Sequence, residues 1–503
     1  MKKNAKRTVV SLLLFLVMLV TMVTSVSAYG PLTMYTSPAS APAYGALSPR
    51  TVQLTHSGTN NGKMYTTWEN RTTGIPTFPI YESTNNGLSW AKVGDVSNTV
   101  DGPGWGMQNC PQLIELPQAI GSLAAGTLLA VGDATPSDMS ATKLEMYKST
   151  DLGRTWTFVS TITTAGANAV GADPVWEPWL LVENNKLIVY YSDERDPAHA
   201  QTLVHQTTTD GVNWSSVVND VVWPDAVTRP GMPIVAKMAN GNFIMTFEVG
   251  LSNGSYPCAY KINTNAETGW NSVTTNYFLG NSGSPFVTVL SDGRIVANSY
   301  ASPDIYINSK TDGTGTWDSM GTPIGGSYNR QLLQLSNGRL FIPNGGDFSH
   351  KNAITYADMY VPSATGSYRL VNVKSGKVLA IGAGNTVNGA NAIQWTYDGT
   401  NPEKWQLVDA GGGYKKIFNV KTGKALAVSQ SSTADGAAVL QWNETGTNEF
   451  QWSLVPSGSY YKIVNRNSGK LLDVYQGSLN DGSTIVQWSD NGGTNQLWQL
   501  VAN

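Results

Sequence analysis

Residues 149–156 read STDLGRTW. Ser149, Asp151 and Thr155 can bond backbone groups of a tight turn, Gly153 supplies the positive φ such a turn needs, and Trp156 brings a large apolar ring to its end. The octapeptide therefore describes a hairpin turn whose last side chain is buried against a neighbouring sheet. Looser copies follow the same plan: STNNGLSW at 83–90, TTTDGVNW at 207–214, and SKTDGTGTW at 309–317 with one extra residue. Trp90 and Trp156 are 66 residues apart, and Trp156 and Trp214 are 58 apart, which leaves room for one four-stranded unit per copy. Short apolar or alternating runs lie between the copies: KLIVYY (186–191), NFIMTFEV (242–249), RIVANSY (294–300) and RLFIPN (339–344). Three of these follow Asn-Gly or Asp-Gly, as strands after hairpin turns do. No long segment has helical periodicity.

The octapeptide resembles the Asp-box, the turn motif of sialidase-type β-propellers. With one unit per roughly 50–65 residues, the first 360 residues predict six blades, with five as the competing count. The motif residues are read as structural.

From residue 366 the texture changes. YRLVNVKSGKVLAI (368–381), YKKIFNVKTGKALAV (414–428) and YKIVNRNSGKLLDV (461–474) align, each followed by IQW, LQW or VQW. Trp395, Trp442 and Trp488 recur at 47 and 46 residues, as do Trp405, Trp452 and Trp498. Three such copies resemble the ricin-type β-trefoil, a sugar-binding module. The family's pocket uses an Asp, an aromatic platform and an Asn. The third repeat keeps the Asp as Asp473, where the others have Ala380 and Ala427, so Asp473, Trp488 and Asn495 are the candidate lectin residues, while Trp405, Trp452 and Trp498 read as core. The expected fold is thus all-β, a six-bladed β-propeller followed by a β-trefoil. Its expected parts are a signal peptide at 1–28, the propeller at 29–360, a short linker at 361–365 and the trefoil at 366–503.

The amino terminus supports that first boundary: a basic head (Lys2, Lys3, Lys6, Arg7), an apolar run from Val9, and Val26-Ser27-Ala28 as a cleavage pattern. No other segment approaches the length of a membrane span. A secreted, extracellular protein is expected. Charged residues are only 13% and the formal net charge is -3, which gives no reason to expect nucleic acid or membrane as a partner. Cys110 and Cys258 could form one disulfide in an oxidising compartment. His56, His199, His205 and His350 show no ligand spacing, so no metal or other cofactor is expected.

Glycoside hydrolysis usually needs two carboxyl groups. Of the glutamates before residue 360, five have apolar neighbours: Glu69, Glu115, Glu145, Glu177 and Glu248. Local sequence does not choose a pair among them. The run DPVWEPWLL (173–181), IVYYSDERDP (188–197), TRPGMP (228–233) and NFIMTFE (242–248) resembles glycoside hydrolase family 93, the exo-α-1,5-L-arabinanases. That resemblance implies a retaining six-bladed enzyme that releases arabinobiose from the non-reducing end of linear arabinan, with Glu177 and Glu248 as the catalytic pair. Glu177 between Trp176 and Trp179 reads as the acid, because indole surface strips water from a carboxylate, and Glu248 as the nucleophile; the swapped division stays open, because tryptophan surface also forms sugar platforms. Retention requires the two groups about 5–5.5 Å apart. Trp105, Trp176, Trp179, Arg195, Arg229 and Tyr300 are the candidate substrate contacts, with Tyr328 a weaker one. The expected partner is plant cell-wall polysaccharide, arabinan or related side chains, met by a monomer. Two alternatives stand beside this: a sialidase, for which Arg50, Arg229, Arg294 or Arg330 would have to assemble an arginine triad, and a non-catalytic carbohydrate-binding protein.

Overall fold

A computed structural model describes residues 30–503 except 43, 73, 279–281 and 349–351. The segment expected as a signal peptide, and His350, lie outside the described residues.

Six four-stranded antiparallel sheets form the first part. Blade 1 runs Ala46–Gln53, Met64–Asn70, Phe78–Ser83, Ala91–Val96; the innermost strands of blades 2 to 5 are Trp105–Glu115, Val175–Glu183, Arg229–Lys237 and Phe286–Val289. Blade 6 contributes Leu333–Gln334, Leu340–Asn344 and Ala353–Met359, and its outer strand is the amino-terminal Leu32–Thr36, which pairs with Ala353–Met359 and closes the ring. Among the described residues every helix is a three-residue 3-10 turn.

The octapeptide forms the turn between the third and fourth strands of blade 2. Ser149 Oγ accepts the Gly153 N–H at 2.9 Å, Asp151 accepts the Thr155 N–H at 2.9 Å and its hydroxyl at 2.6 Å, and the Trp156 indole donates to the Gly153 carbonyl at 3.1 Å. Trp156 packs into the cluster of Tyr65, Phe78 and Ile80 from blade 1. The other copies do likewise: Trp90 meets Phe341 and Tyr356 of blade 6, and Trp317 meets Tyr260 and Phe278 of blade 4. Each turn thus fastens its blade to the preceding one.

At the axis the inner strands share a second device. On or just ahead of each, one non-glycine residue is left-handed: Ser48, Cys110, Glu177, Met232, Ser284 and Asn329, with φ between 49° and 60°. Four of these coincide with slips in the ladder, between Leu47 and Arg50, Asn109 and Gln112, Trp176 and Trp179, and Gly231 and Ile234. These are β-bulges, which bend a strand and redirect side chains. Adjacent inner strands are tied by side chains: Gln331 bonds both backbone groups of Thr51, and Gln112 both those of Leu180.

The second part is a twelve-stranded, three-fold arrangement from Tyr368–Asn372 to Trp498–Ala502. Trp405, Trp452 and Trp498 are fully buried and donate to the equivalent carbonyls of Leu379, Leu426 and Leu472 at 2.8, 3.0 and 2.9 Å. Trp395 and Trp442 stay partly exposed.

The two parts meet closely. Arg294 donates to the Val361 and Pro362 carbonyls of the connecting segment, and Tyr360 stacks on Phe418 at 4.9 Å. Behind them, Asp358, Arg339, Glu444 and Lys416 form a buried ionic chain. A Cβ at Gly423 would stand 2.8 Å from Met320 Sδ, so the surfaces touch. Cys110 and Cys258 are both free thiols, which corrects the disulfide considered from the sequence. Cys110 is on the inner strand of blade 2 and Cys258 on the third strand of blade 4.

Gly153 has φ +80°, and a Cβ there would lie 2.9 Å from Ile80 Cγ2. Gly153→Ala is expected to cost about 1–3 kcal/mol, from left-handed strain and the lost fit against blade 1, and to lower Tm accordingly in a calorimetric scan.

Candidate active site

Three of the left-handed residues, Cys110, Glu177 and Ser284, line a cavity of about 660 Å³ together with Glu69 and Glu248 of the second strands. Glu177 enters it from the bulge of blade 3. Its Oε2 accepts the Ser192 hydroxyl at 2.7 Å and the Met232 N–H at 2.6 Å. Glu248 enters from the second strand of blade 4, opposite Gly231, and its Oε2 accepts the Ser284 N–H at 2.7 Å. Each carboxyl keeps its Oε1 outside these bonds. Both show some surface to the cavity yet lie deep enough for burial to dominate their titration.

Burial raises the Glu177 pKa, opposed by its two hydrogen bonds and by the Arg229 charge. Glu248 is pushed up to about 7 by burial and then by the Glu177 charge, with the Ser284 N–H and Arg229 opposing. Both carboxyls thus hold a proton to higher pH than an ordinary glutamate. Two donors on Glu177 against one on Glu248 favour Glu177 as the carboxylate and Glu248 as the holder of a proton in the resting site, the swapped division that the sequence also leaves open.

The flanking indoles do not enclose Glu177. Trp179 turns into the core, donating to the Val235 carbonyl at 2.8 Å and packing edge-on against Phe286, so it does not line the cavity. Trp176 does line it, held by Glu194 Oε1 at 3.1 Å. The bulge between Trp176 and Trp179 breaks strand alternation and separates the two rings.

Arg229 lines the cavity as expected and is fixed by Glu194 and by Gln201, at 2.6 Å from the latter. Tyr300 and Tyr328 form part of an aromatic wall that continues through Phe348. Two other candidates are elsewhere. Trp105 packs between blades 1 and 2 with the Lys143 ammonium 4.5 Å from its ring. Arg195 is spent on Asp193, Thr163 and Tyr191. Sequence reading passed over its neighbour Glu194, which orients Trp176 and Arg229; the two adjacent side chains take opposite sides of the chain, and nothing in SDERDP tells which side faces the axis. It also left Glu69 undistinguished among the glutamates. Glu69 faces the cavity across from the pair, bonded by Arg71 at 2.8 Å and by the Cys110 N–H at 3.1 Å.

The arginines a sialidase would require are dispersed. Arg50 is bonded to Pro49 and Asn329, Arg330 to backbone carbonyls of blade 5, and Arg294 to the connecting segment. Burial holds the Tyr328 phenol well above its ordinary value, which leaves it a poor nucleophile. Among the described residues no group of three or more His, Cys, Asp or Glu is arranged to hold a metal ion.

In the trefoil, a second hollow of about 330 Å³ is lined by Asp473, Trp488, Asn495, Tyr475 and Lys374. Asn495 Nδ2 donates to Asp473 Oδ2 at 2.9 Å, and the Trp488 and Tyr475 rings are 6.2 Å apart. All three lectin candidates are therefore together. The corresponding Ala380 and Ala427 are buried and supply no acceptor.

A pair of deeply set carboxyls in an open propeller cavity, with an arginine and aromatic rings around them, is the site of a glycoside hydrolase. The whole-chain comparison narrows the class. An α-L-arabinofuranosidase of family GH93 from Fusarium graminearum, solved with arabinobiose, is 31% identical, with 66% of this chain and 98% of that one covered and a TM-score of 0.62. A Penicillium chrysogenum α-L-arabinanase, also solved with arabinobiose, is 34% identical with the same coverage and TM-score. The chain belongs to glycoside hydrolase family 93. A family model described as ricin-type beta-trefoil lectin domain-like matches residues 359–442, 405–488 and 448–503. Comparison with curated proteins gives no match.

Two outcomes follow from the paired carboxyls. Activity should need the proton on Glu248, so kcat/KM is expected to fall as pH rises through about 7, where that proton is lost, and also at acid pH, where Glu177 gains one. Glu177→Gln and Glu248→Gln should each lower kcat by roughly 10²–10⁴-fold with an unchanged circular dichroism spectrum.

Proposed function

We propose that the protein is a secreted, retaining exo-α-1,5-L-arabinanase that releases arabinobiose from the non-reducing end of linear arabinan and is held on plant cell-wall polysaccharide by its trefoil. The observation that carries this reading is that Glu177 and Glu248 line one cavity in a chain similar over nearly the full length of two enzymes solved with arabinobiose. One carboxyl attacks the anomeric carbon while the other gives its proton to the departing oxygen; water then enters with the second group as base. Arg229, close enough to affect both titrations, steadies whichever group is ionised. Trp176, Tyr300 and Tyr328 offer faces to the apolar sides of furanose rings, and Gln201 and Arg229 offer polar contacts. The enzyme acts as a monomer and without a cofactor.

The purified mature protein, given linear α-1,5-arabinan, is expected to release arabinobiose as the sole early product, initially in the α configuration by proton NMR. A ladder of oligomers would remove the exo assignment, a β first product would remove retention, and no product would remove arabinan as substrate. Azide rescue of the alanine variants assigns the roles, since the two give products of opposite anomeric form. Asp473→Ala combined with Trp488→Ala is expected to weaken retention on insoluble arabinan-bearing wall material at least about tenfold, through loss of the acceptor and the stacking face, with kcat on soluble arabinan unchanged.

A further inference from the structure

One buried carboxylate behind the cavity wall ties three separate elements together. Glu194 follows the second strand of blade 3, Lys186–Asp193. Its Oε2 accepts the N–H of Gly171, in the connection that enters blade 3, at 2.7 Å. Its Oε1 accepts the Trp176 indole N–H at 3.1 Å and is ion-paired with Nη2 of Arg229, the first residue of the inner strand of blade 4. The same Nη2 donates to Gln201 Oε1 at 2.6 Å, and Gln201 is fixed in turn by its amide on the Pro230 carbonyl at 2.7 Å. Both hydrogens of that nitrogen are therefore spent, one on each acceptor.

Arg229 is held beside the two glutamates but bonded to neither. Among the described residues its ion pair is with Glu194, although its charge acts on both Glu177 and Glu248. The gap is small. A Cβ at Gly231, two residues beyond Arg229 and opposite Glu248, would stand 3.0 Å from Gln201 Nε2 and 3.4 Å from Glu248 Oε1, so the anchor of the guanidinium and the carboxyl crowd the same space. The buried Nε of Arg229 has no acceptor where it is, so the guanidinium keeps this place through its Nη2 bonds. Were those bonds absent, a carboxylate facing the cavity would be the natural partner. A guanidinium bonded directly to one of the pair would hold that group ionised far into the acid range and leave it no proton for the departing oxygen. Besides Glu194 and Arg229, the titratable or charged groups that act on Glu177 or Glu248 are Cys110, Asp133, Tyr328, Cys258 and Arg50. Arg50 is the one cation among these five, and it is bonded to Asn329.

We propose that Glu194 is a positioning residue for Glu177 and Glu248 that acts through Arg229: with Gln201 it restrains the guanidinium where its charge reaches both carboxyls and it pairs with neither. Through Trp176 and Gly171 the same carboxylate fixes the neighbouring wall of the cavity, so the aromatic face and the shared cation keep one relative placement. The inference rests on the roles proposed for Glu177 and Glu248.

The test is Glu194→Gln in the full-length protein, which keeps the size and an acceptor oxygen but loses the charge. In a crystal structure of the variant, Arg229 is expected to have turned to within about 4 Å of a carboxyl oxygen of Glu177 or Glu248. Both pH limits of kcat/KM are expected to move to lower pH by about one pH unit. An unmoved Arg229, or unmoved limits with activity lowered evenly at every pH, would make Glu194 a structural tie alone and overturn the proposal. In an Arg229→Gln background the movement caused by Glu194→Gln is expected to shrink to a fraction of that; an undiminished movement would place the effect in the Glu194 charge itself and also overturn it. If Glu194→Gln does not fold, Gln201→Met removes the second acceptor of the same nitrogen, and the same turn of Arg229 with a smaller movement of the limits is expected; an unmoved Arg229 there counts equally against the proposal. The crystal structures use no activity, so they decide the restraint independently of the roles of Glu177 and Glu248, which their own Gln variants test.

Discussion

Six inner strands converging on one axis cannot all remain regular. Their side chains alternate between faces, and a straight ladder would point half of them into the next blade and leave the axis lined by chance. The left-handed residue on each inner strand resolves this: it turns the chain, interrupts the ladder, and sends a chosen side chain or N–H toward the centre. Such a conformation costs a non-glycine residue roughly 1–2 kcal/mol. The cost is offset by bonds that cross from blade to blade, such as those from Met232 to Glu177 and from Ser284 to Glu248. Closure of the ring and construction of the active site are therefore one problem with one solution, and Glu177 is itself one of the strained residues.

The same ring sets the electrostatics. Several carboxyls face or underlie a single cavity, and among the described residues two guanidinium groups, Arg71 and Arg229, line it. Arg71 belongs to Glu69, and Arg229 is tethered to Glu194, so neither can neutralise Glu177 and Glu248 fully. Both glutamates therefore hold a proton to higher pH than usual, the setting in which one carboxyl can be an acid beside an ionised neighbour. Burial supplies the effect that the flanking tryptophans were expected to supply.

How much of this was legible depended on range. The turn at 149–156 and the trefoil repeats are local patterns repeated several times, and their physics is complete within a few residues, so blade count and trefoil were readable. Glu177 and Glu248 were reached through resemblance, because nothing within NFIMTFE distinguishes an axial glutamate from one on a blade edge. Trp179 was misplaced because strand phase is lost at the bulge after Trp176, and a bulge has no fixed residue type: the left-handed residue at the four bulges is Ser48, Cys110, Glu177 or Met232. Trp105 begins its strand ahead of the bulge, and nothing local tells that it packs between two blades. Arg195 was chosen over Glu194 because both lie in the loop after Lys186–Asp193, where no strand alternation assigns a side chain to the axis. In the trefoil, Asp473 stood out as a lectin candidate because the two sister repeats carry Ala380 and Ala427 in its place, whereas Trp488 has a counterpart in each of them and Asn495 was reached through resemblance.

The outer strand of the last blade is the first of the described strands: Leu32–Thr36 lies against Ala353–Met359. During synthesis this segment emerges ahead of every other described strand and has no partner until more than three hundred further residues have followed. The blades between can form in order, each fastened to its predecessor by its turn tryptophan, but the circle stays open. Its closing event brings together the oldest and the newest parts of the propeller, a contact of long sequence separation and therefore slow to form. Because the trefoil packs against blades 5 and 6, it docks on the seam side of the circle, and a chain cut short before residue 353 would expose an unpaired sheet edge in place of an enzyme.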